Sequence, residues 1–263
     1  MDPRGESNHL AKSATSASQC SELLGQSGSV ATRDAFDAGN IHLLNWNIEK
    51  GKRQGWEADL NKLGQQAQLV LMQEATLSPA MIDARRMAGY WSFAPGYRDT
   101  VQATGVLTLS SIEPLTHCNL TAWEPWLRTP KATSITEYLL ANRQDTLVVV
   151  NIHSINFTLG VKDYRRQLQQ VRVALREHTG PIILSGDFNS WRILRQIQLG
   201  ELVEELRLTT LDYGDDHRVQ VFGYPIDHIY VRGLRASNTA ATVVSSSDHN
   251  PISVSLEFGE HAE

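Results

Sequence analysis

From Ile41 onward the chain is built of short runs of branched and aliphatic residues broken by polar and turn residues. Nine of these runs read as strands: 41–48, 69–73, 105–111, 132–140, 146–154, 181–185, 227–231, 240–245 and 252–258. Several, such as 147-LVVVNI-152 and 181-PIILS-185, are apolar at successive rather than alternate positions, the pattern of strands buried on both faces. The clearest helix is 161–178, where Val161, Tyr164, Leu168, Val171 and Leu175 step by three and four before 179-TGP-181 stops it. Weaker helical patterns cover 57–68, 79–89 and about 191–200. Doubly buried strands interspersed with helices predict an α/β domain with more than one sheet, each covered by helices.

Residues 1–39 have a different texture, rich in Ser, Ala, Gly and Gln with little apolar periodicity. They predict a flexible N-terminal tail, with a short helix near Ser21 to Leu24, ahead of a domain spanning 40–259.

Composition narrows the picture. With 263 residues, 41% of them hydrophobic, the chain can form one large domain or two small ones and bury a sizeable core without staples. The net charge of −5 gives no global basic field, so a polyanion would have to be held by a local patch or by metal ions. The two cysteines, Cys20 and Cys118, lie far apart, one of them in the tail; they support neither a disulfide framework nor a Cys-rich zinc site, and they fit a reducing cytoplasm. The apolar runs fall far short of the ~20 residues that span a bilayer, and the N-terminus lacks the charged-then-apolar signal pattern. The expectation is a cytoplasmic protein with no transmembrane segment and no export signal; no protein partner can be inferred.

The candidate chemistry sits where the apolar runs finish. 43-LLNWNIEKG-51 ends on Asn47 and Glu49, 69-LVLMQE-74 on Glu74, 148-VVVNIHSIN-156 on His153 and Asn156, and 181-PIILSGDFNSW-191 on Asp187 and Asn189. Asp227 begins the run in 225-PIDHIYVRG-233, and Asp248 and His249 share a turn closed by Pro251. Carboxylates, amides and imidazoles in this mixture suit a hard cation and the phosphate it binds, because Mg²⁺ takes one or two carboxylates and leaves the remaining positions to phosphate and water.

The ordered series WNIE, LMQE, NIHSIN, GDFN, PIDHIYV and SDHNP, running from about Ile41 to Phe258, resembles the endonuclease/exonuclease/phosphatase superfamily, the group of deoxyribonuclease I. Phrases 150–161 and 181–191 further resemble its bacterial YafD-like group. The resemblance implies a four-layer α/β/β/α sandwich of two mixed β-sheets flanked by helices, with the site at one edge between the sheets. It also implies roles. Asn47 would contact phosphate or water; Glu74 would be the principal Mg²⁺ ligand, with Mn²⁺ as a substitute; Glu49 and Asp248 would lie by the metal. His153 would meet the phosphate or the leaving oxygen, with Asn156 beside it. Asp187 would orient or deprotonate the attacking water and Asn189 would steady it, while Asp227 would fix the tautomer of His249. Either Asp187 or His249 could be the base.

Blander readings stand beside these. Asp187 and Asn189 could be a turn and a helix N-cap, and Glu74 and Asp248 loop-capping residues. His42, His117 and His228 match no motif, and Trp46 and Phe188 read as core. Arg128 and Lys131 could contact phosphate or simply be solvated. The expected activity is Mg²⁺-dependent hydrolysis of a phosphoester by in-line water attack, on DNA or RNA first. A phosphatase or lipid phosphodiesterase (phosphoinositide or sphingomyelin type) is the alternative, and a non-catalytic scaffold the third.

Overall fold

The computed structural model describes residues 11–26, 34–37, 41–84, 88–98, 100, 102–158 and 160–258. In chain order the strands are β1 (Lys12–Ala14), β2 (Ile41–Asn47), β3 (Leu69–Thr76), β4 (Tyr90–Arg98), β5 (Ala103–Ser110), β6 (Thr116–Trp123), β7 (Pro130–Leu139), β8 (Thr146–His153), β9 (Ile182–Asp187), β10 (Thr209–Thr210), β11 (Gln220–Val221), β12 (Tyr224–Pro225), β13 (Asp227–Arg232), β14 (Leu234–Ala241) and β15 (Ile252–Phe258). The helices are α1 (Ala17–Leu23), α2 (Trp56–Gly64), α3 (Pro79–Ala84), α4 (Lys162–Leu175) and α5 (Ile193–Glu205). One sheet runs β1-β6-β7-β8-β9-β13-β10, the other β14-β15-β2-β3-β5-β4, and β11 with β12 forms a separate hairpin.

Three apolar clusters correspond to the three interfaces of a four-layer α/β/β/α sandwich. Between the sheets lie Leu43, Leu69, Leu71, Leu147, Val149, Ile183, Ile229 and Val254. The alternate residues of the same strands, Val148, Val150, Ile182 and Leu184, face Tyr164, Leu168 and Val171 of α4 and Leu199 and Leu202 of α5. On the far side Leu44, Trp46, Val70 and Met72 meet Trp56 and Leu60 of α2 and Met81 of α3. This is why the runs carry no polar alternation: each strand buries both faces. Every such Val, Leu or Ile stabilises the fold by roughly 1.5–3 kcal/mol over its exposed state.

Strands β4 and β6 escaped the periodicity. β4 is an edge strand interrupted by Pro95 and Gly96, and in β6 Thr, His and Asn occupy buried or half-buried positions. The run expected at 240–245 belongs to β14 only as far as Ala241; residues beyond it leave the sheet and lead into the Asp248–His249 loop. Of the expected 79–89 helix, 79–84 is α3 and 85–87 lie outside the described residues.

The segment expected as a tail contains structure. β1 pairs in parallel with β6, matching Ala14 to Cys118, and α1 begins at an N-cap where Ser16 Oγ accepts the Gln19 N–H. The expectation that the two cysteines support no disulfide framework is corrected: Cys20 is disulfide-bonded to Cys118, with Cα atoms 5.9 Å apart at a sequence separation of 98. Sequence distance hid the pair, and parallel pairing of β1 beside β6 removes that distance. Positions 1–10, 27–33 and 38–39 of the expected tail lie outside the described residues.

Candidate active site

The register of three neighbouring strands lines up residues that are remote in sequence. His153 at the end of β8 is the Cα partner of Asp187 at the end of β9, and Asp187 is in turn the partner of Asp227 at the start of β13. The close pairing at this point requires Gly186: a Cβ there would stand 1.9 Å from the Ile152 carbonyl oxygen. The second sheet contributes Asn47 from the end of β2, whose Nδ2 donates to Asp187 Oδ2 at 3.1 Å and so ties the sheets together at the site. Glu74 sits in a bulge of β3, between Met72 and Ala75, and has φ 52°. The bulge takes it out of the ladder.

His249 arrives on the loop between β14 and β15. Trp46 Nε1 donates to the His249 carbonyl at 3.0 Å and Ser247 Oγ to the Asn47 carbonyl at 2.7 Å, which anchors the loop to β2. His249 Nδ1 is 2.7 Å from Asp227 Oδ2, and its Nε2 points back toward Asp187 Oδ2 at 3.9 Å. His153 Nε2 lies 3.5 Å from the same Asp187 oxygen and 3.9 Å from Glu74 Oε1. Lys131 Nζ, from β7, is 2.8 Å from His153 Nε2, and Lys50 Nζ is 3.8 Å from Glu74 Oε2.

Burial separates the protonation behaviour of these groups. Asp187 is 2% exposed; burial raises its carboxyl to about 6, with the charge of Asp227 adding to the rise and His249 opposing it. For His249 burial is the largest effect and acts downward, yet the charge of Asp227, its hydrogen bond, and the charges of Asp187 and Asp248 together lift the imidazole to about 10. His153 goes the other way, held well below the usual imidazole range by burial and then by the cations Lys131, His249 and Lys50. The site therefore offers an ionisable carboxylate, an imidazolium and a neutral imidazole at neutral pH.

Backbone strain concentrates here. Among the described non-glycine residues with positive φ, Glu74 (52°), Asn189 (47°) and Phe222 (52°) line the cleft, and Lys50 (63°) and Arg128 (50°) line cavities next to it. Each left-handed side chain costs roughly 1–2 kcal/mol, least for Asn. Neighbours hold the conformation of Asn189: its N–H donates to Asp187 Oδ1 at 2.9 Å, its Nδ2 to the Ser154 carbonyl at 3.1 Å, and its own carbonyl accepts Arg195 Nη1 at 2.7 Å.

Most of the residues expected at the site converge. A cleft of about 520 Å³ is lined by Glu74, Lys131, His153, Asn156, Asp187, Asn189, Asp248 and His249, with Asp227 behind His249 and Asn47 behind Asp187. The Oδ1 of Asn156 accepts Trp191 Nε1 at 2.8 Å, which fixes the cleft wall. Two expected residues stand apart. Arg128 is exposed and lines a neighbouring cavity with Tyr97 and Trp123, and the Glu49 carboxylate is paired with Arg53 Nε at 2.7 Å.

Among the described residues no three His, Cys, Asp or Glu side chains cluster tightly enough to hold an ion alone. Mg²⁺ does not require three, since one or two carboxylates, phosphate and water suffice. Glu74 fits that demand: it is partly exposed to the cleft, with the Lys50 ammonium 3.8 Å and the His153 ring nitrogen 3.9 Å away. Glu49, held by Arg53, does not fit as a direct ligand in this arrangement.

The remaining histidines and aromatics follow the bland reading. His228 is buried between Ser190 Oγ at 3.0 Å and the Pro225 carbonyl at 3.0 Å, with burial driving it to about 3. Trp46 and Phe188 are core residues. Sequence reading missed three supports. Buried Arg195 donates to the carbonyls of Ile155, Asn156 and Asn189; buried Glu124 accepts the N–H groups of Asn156 and Phe157; and Gln167 Nε2 donates to the His153 carbonyl. A charge at an apolar helix position, as Arg195 is one turn before Leu199, is the one signal that could have marked them.

Comparison with known proteins agrees with this architecture. The model of the endonuclease/exonuclease/phosphatase family matches residues 44–249. A UPF0294 protein of Vibrio parahaemolyticus is 33% identical over 255 residues, covering 91% of this chain and 89% of that one. A second, from Vibrio vulnificus, is 39% identical over 231 residues, covering 86% and 80%. The crystal structure of an endonuclease/exonuclease/phosphatase from Beutenbergia cavernae superposes with a TM-score of 0.64 at 13% identity, covering 84% of this chain and 72% of that one, a likeness of fold.

Proposed function

The chain belongs to the endonuclease/exonuclease/phosphatase family, and on that premise we propose that it hydrolyses a phosphodiester by in-line attack of water with Mg²⁺ assistance. The observation that carries the reading is His249, held by Asp227 on one nitrogen and directed at Asp187 with the other. Within the family we group it with the YafD-like proteins on the phrases at 150–161 and 181–191.

In this reading Asp187 takes the proton from the attacking water, because its raised carboxyl is ionised at neutral pH yet more basic than an ordinary one. Asn189 steadies the water, and Asn47 keeps the Asp187 carboxylate aimed across the sheets. His249, protonated and oriented by Asp227, supplies positive charge and hydrogen bonding to the phosphate. Lys131 and His153 approach the phosphate or leaving oxygen from the β7–β8 side. Glu74, with Asp248 in the same cleft, would hold the Mg²⁺, or Mn²⁺ in its place, which when bound neutralises charge on the phosphoryl oxygens. A loose phosphoryl transition state asks for little beyond such positioning and neutralisation.

Nucleic acid is the substrate first expected from the motifs. The Cys20–Cys118 disulfide favours an oxidising compartment over the cytoplasm expected from the composition. The test is hydrolysis of bis(p-nitrophenyl) phosphate and nicking of plasmid DNA with Mg²⁺. Asp187→Ala and His249→Ala should each abolish both activities, and full turnover in both variants would sink the reading.

A further inference from the structure

Half of the large apolar side chains that stand exposed among the described residues, Tyr97, Trp123, Leu127, Phe157 and Phe222, line the cleft or the cavities opening beside it. Trp126, 61% exposed, adjoins Leu127, and Ile193 and Leu194, exposed at the first turn of α5, follow the cleft residue Trp191 directly in the chain. A soluble surface scatters such residues singly; a concentration of them at one mouth marks something that is covered in use.

The tip of the β11–β12 hairpin makes the same point in the backbone. Val221 pairs with Tyr224, so Phe222 and Gly223 form a two-residue turn with φ 52° and 81°. Left-handed turns of this kind are normally filled by Asn, Asp or Gly. Here the first central position carries a phenylalanine whose ring meets Trp191, with centroids 5.9 Å apart, yet stays 81% exposed, so neither turn sterics nor that one-sided contact covers its apolar surface.

We propose that this rim docks on a lipid surface, and that the phosphodiester cleaved in the cleft is a phospholipid headgroup ester. The inference rests on the phosphoester-hydrolase reading above and names its substrate class. Three features favour a lipid over a single-stranded nucleic acid. Leu127, Ile193 and Leu194 have no π-face on which a base could stack, whereas hydrocarbon covers aliphatic and aromatic side chains alike. The net charge of −5 opposes a polyanion that must track along the surface. Cations nevertheless lie among the aromatics: Arg192 stacks on Trp191 at 4.4 Å, Arg128 shares a cavity with Trp123, and Lys131 stands in the cleft. Aromatics and cations interleaved in this way match the level where phosphates meet acyl chains. In the reaction the oxygen of water bonds to phosphorus and one P–O ester bond breaks. Water gives up one proton, and the departing alcohol oxygen takes one.

The test uses the full chain with Mg²⁺, sedimented with vesicles of phosphatidylcholine alone or mixed with phosphatidylglycerol. Phosphate ester release from the vesicles and turnover of bis(p-nitrophenyl) phosphate are followed in parallel. The chain should sediment with vesicles and hydrolyse their lipid. W126S/I193S, altered only on the outer rim, should bind vesicles at least about tenfold more weakly, as loss of two buried apolar side chains predicts, and keep its turnover of the soluble diester. Soluble turnover with no vesicle binding would overturn the lipid inference and leave the hydrolase reading standing. Vesicle binding with neither substrate hydrolysed would overturn the hydrolase reading and the lipid-substrate assignment with it. A loss of oligonucleotide binding, or of self-association, in W126S/I193S with vesicle binding unchanged would assign the rim to nucleic acid or to a second copy of the chain.

Discussion

Lys131 Nζ lies 2.8 Å from His153 Nε2, so the ammonium donates and the ring nitrogen accepts. That contact requires a neutral imidazole, in agreement with burial and the surrounding cations holding His153 well below its ordinary range. Lys131→Met removes one of those cations. The His153 titration, followed by NMR of the ring protons, should move up toward the ordinary value, and kcat should fall by about a hundredfold to a thousandfold, on the order of one lost charge-stabilising donor. An unmoved titration would mean that burial alone sets the state of His153.

Activity should be bell-shaped in pH. Asp187 is raised to about 6, so its basic form is lost as pH falls through that value; His249 is raised to about 10, so its cationic form is lost as pH rises through that one. Asp227→Asn removes the partner that lifts His249. The alkaline limb of kcat/KM against pH should move to lower pH, while the acid limb should move little or downward.

Gly186→Ala would place a methyl group 1.9 Å from the Ile152 carbonyl oxygen, between two central strands that cannot separate without breaking the β8–β9 ladder. Overpacking of this kind costs about 1–3 kcal/mol or more. Thermal unfolding should show a clearly lowered midpoint, and a midpoint equal to that of the parent would contradict the strand spacing.

Unfolded, unreduced protein should show no titratable thiol, because Cys20 and Cys118 are its only cysteines and are bonded to each other. Cys118→Ser releases a crosslink that encloses a long loop, which in the chain-entropy account stabilises by roughly 4–5 kcal/mol. The urea midpoint should drop in this variant and in the reduced parent alike.

Arg195→Met keeps the bulk of the side chain and removes the donor shared by the carbonyls of Ile155, Asn156 and Asn189. Arg195 acts on the chemistry through Asn189, so kcat should fall at least about tenfold with KM little changed. Arg195→Lys should recover only part of the loss, because an ammonium cannot reproduce the guanidinium fork.

The sandwich was largely legible in the chain. Runs such as 147–152 and 181–185 are apolar throughout because they face a helix layer on one side and the opposite sheet on the other, and the steps of α4 mark a single buried face. The edge strand β4 was not legible, since strands of that kind need no continuous apolar run. Nor was the pairing of Glu49 with Arg53, where a residue of the right type in the right motif is occupied by a neighbour.

The sequence by itself determined which residues could do chemistry, because the apolar runs stop at Asp187, His153 and Glu74, the first two at strand ends and the third at the bulge of β3. Tertiary structure decided which of them meet. Register across β8, β9 and β13 sets His153, Asp187 and Asp227 in a row, the Asn47 hydrogen bond joins the second sheet to it, and a loop pinned by Trp46 delivers His249. It also decided that Cys20 reaches Cys118 and that Phe222 stands out at a hairpin tip. The physical reason is range. Periodicity and turn chemistry act between residues near in sequence, whereas register and contacts between sheets are set by how the whole core closes, which no local pattern records.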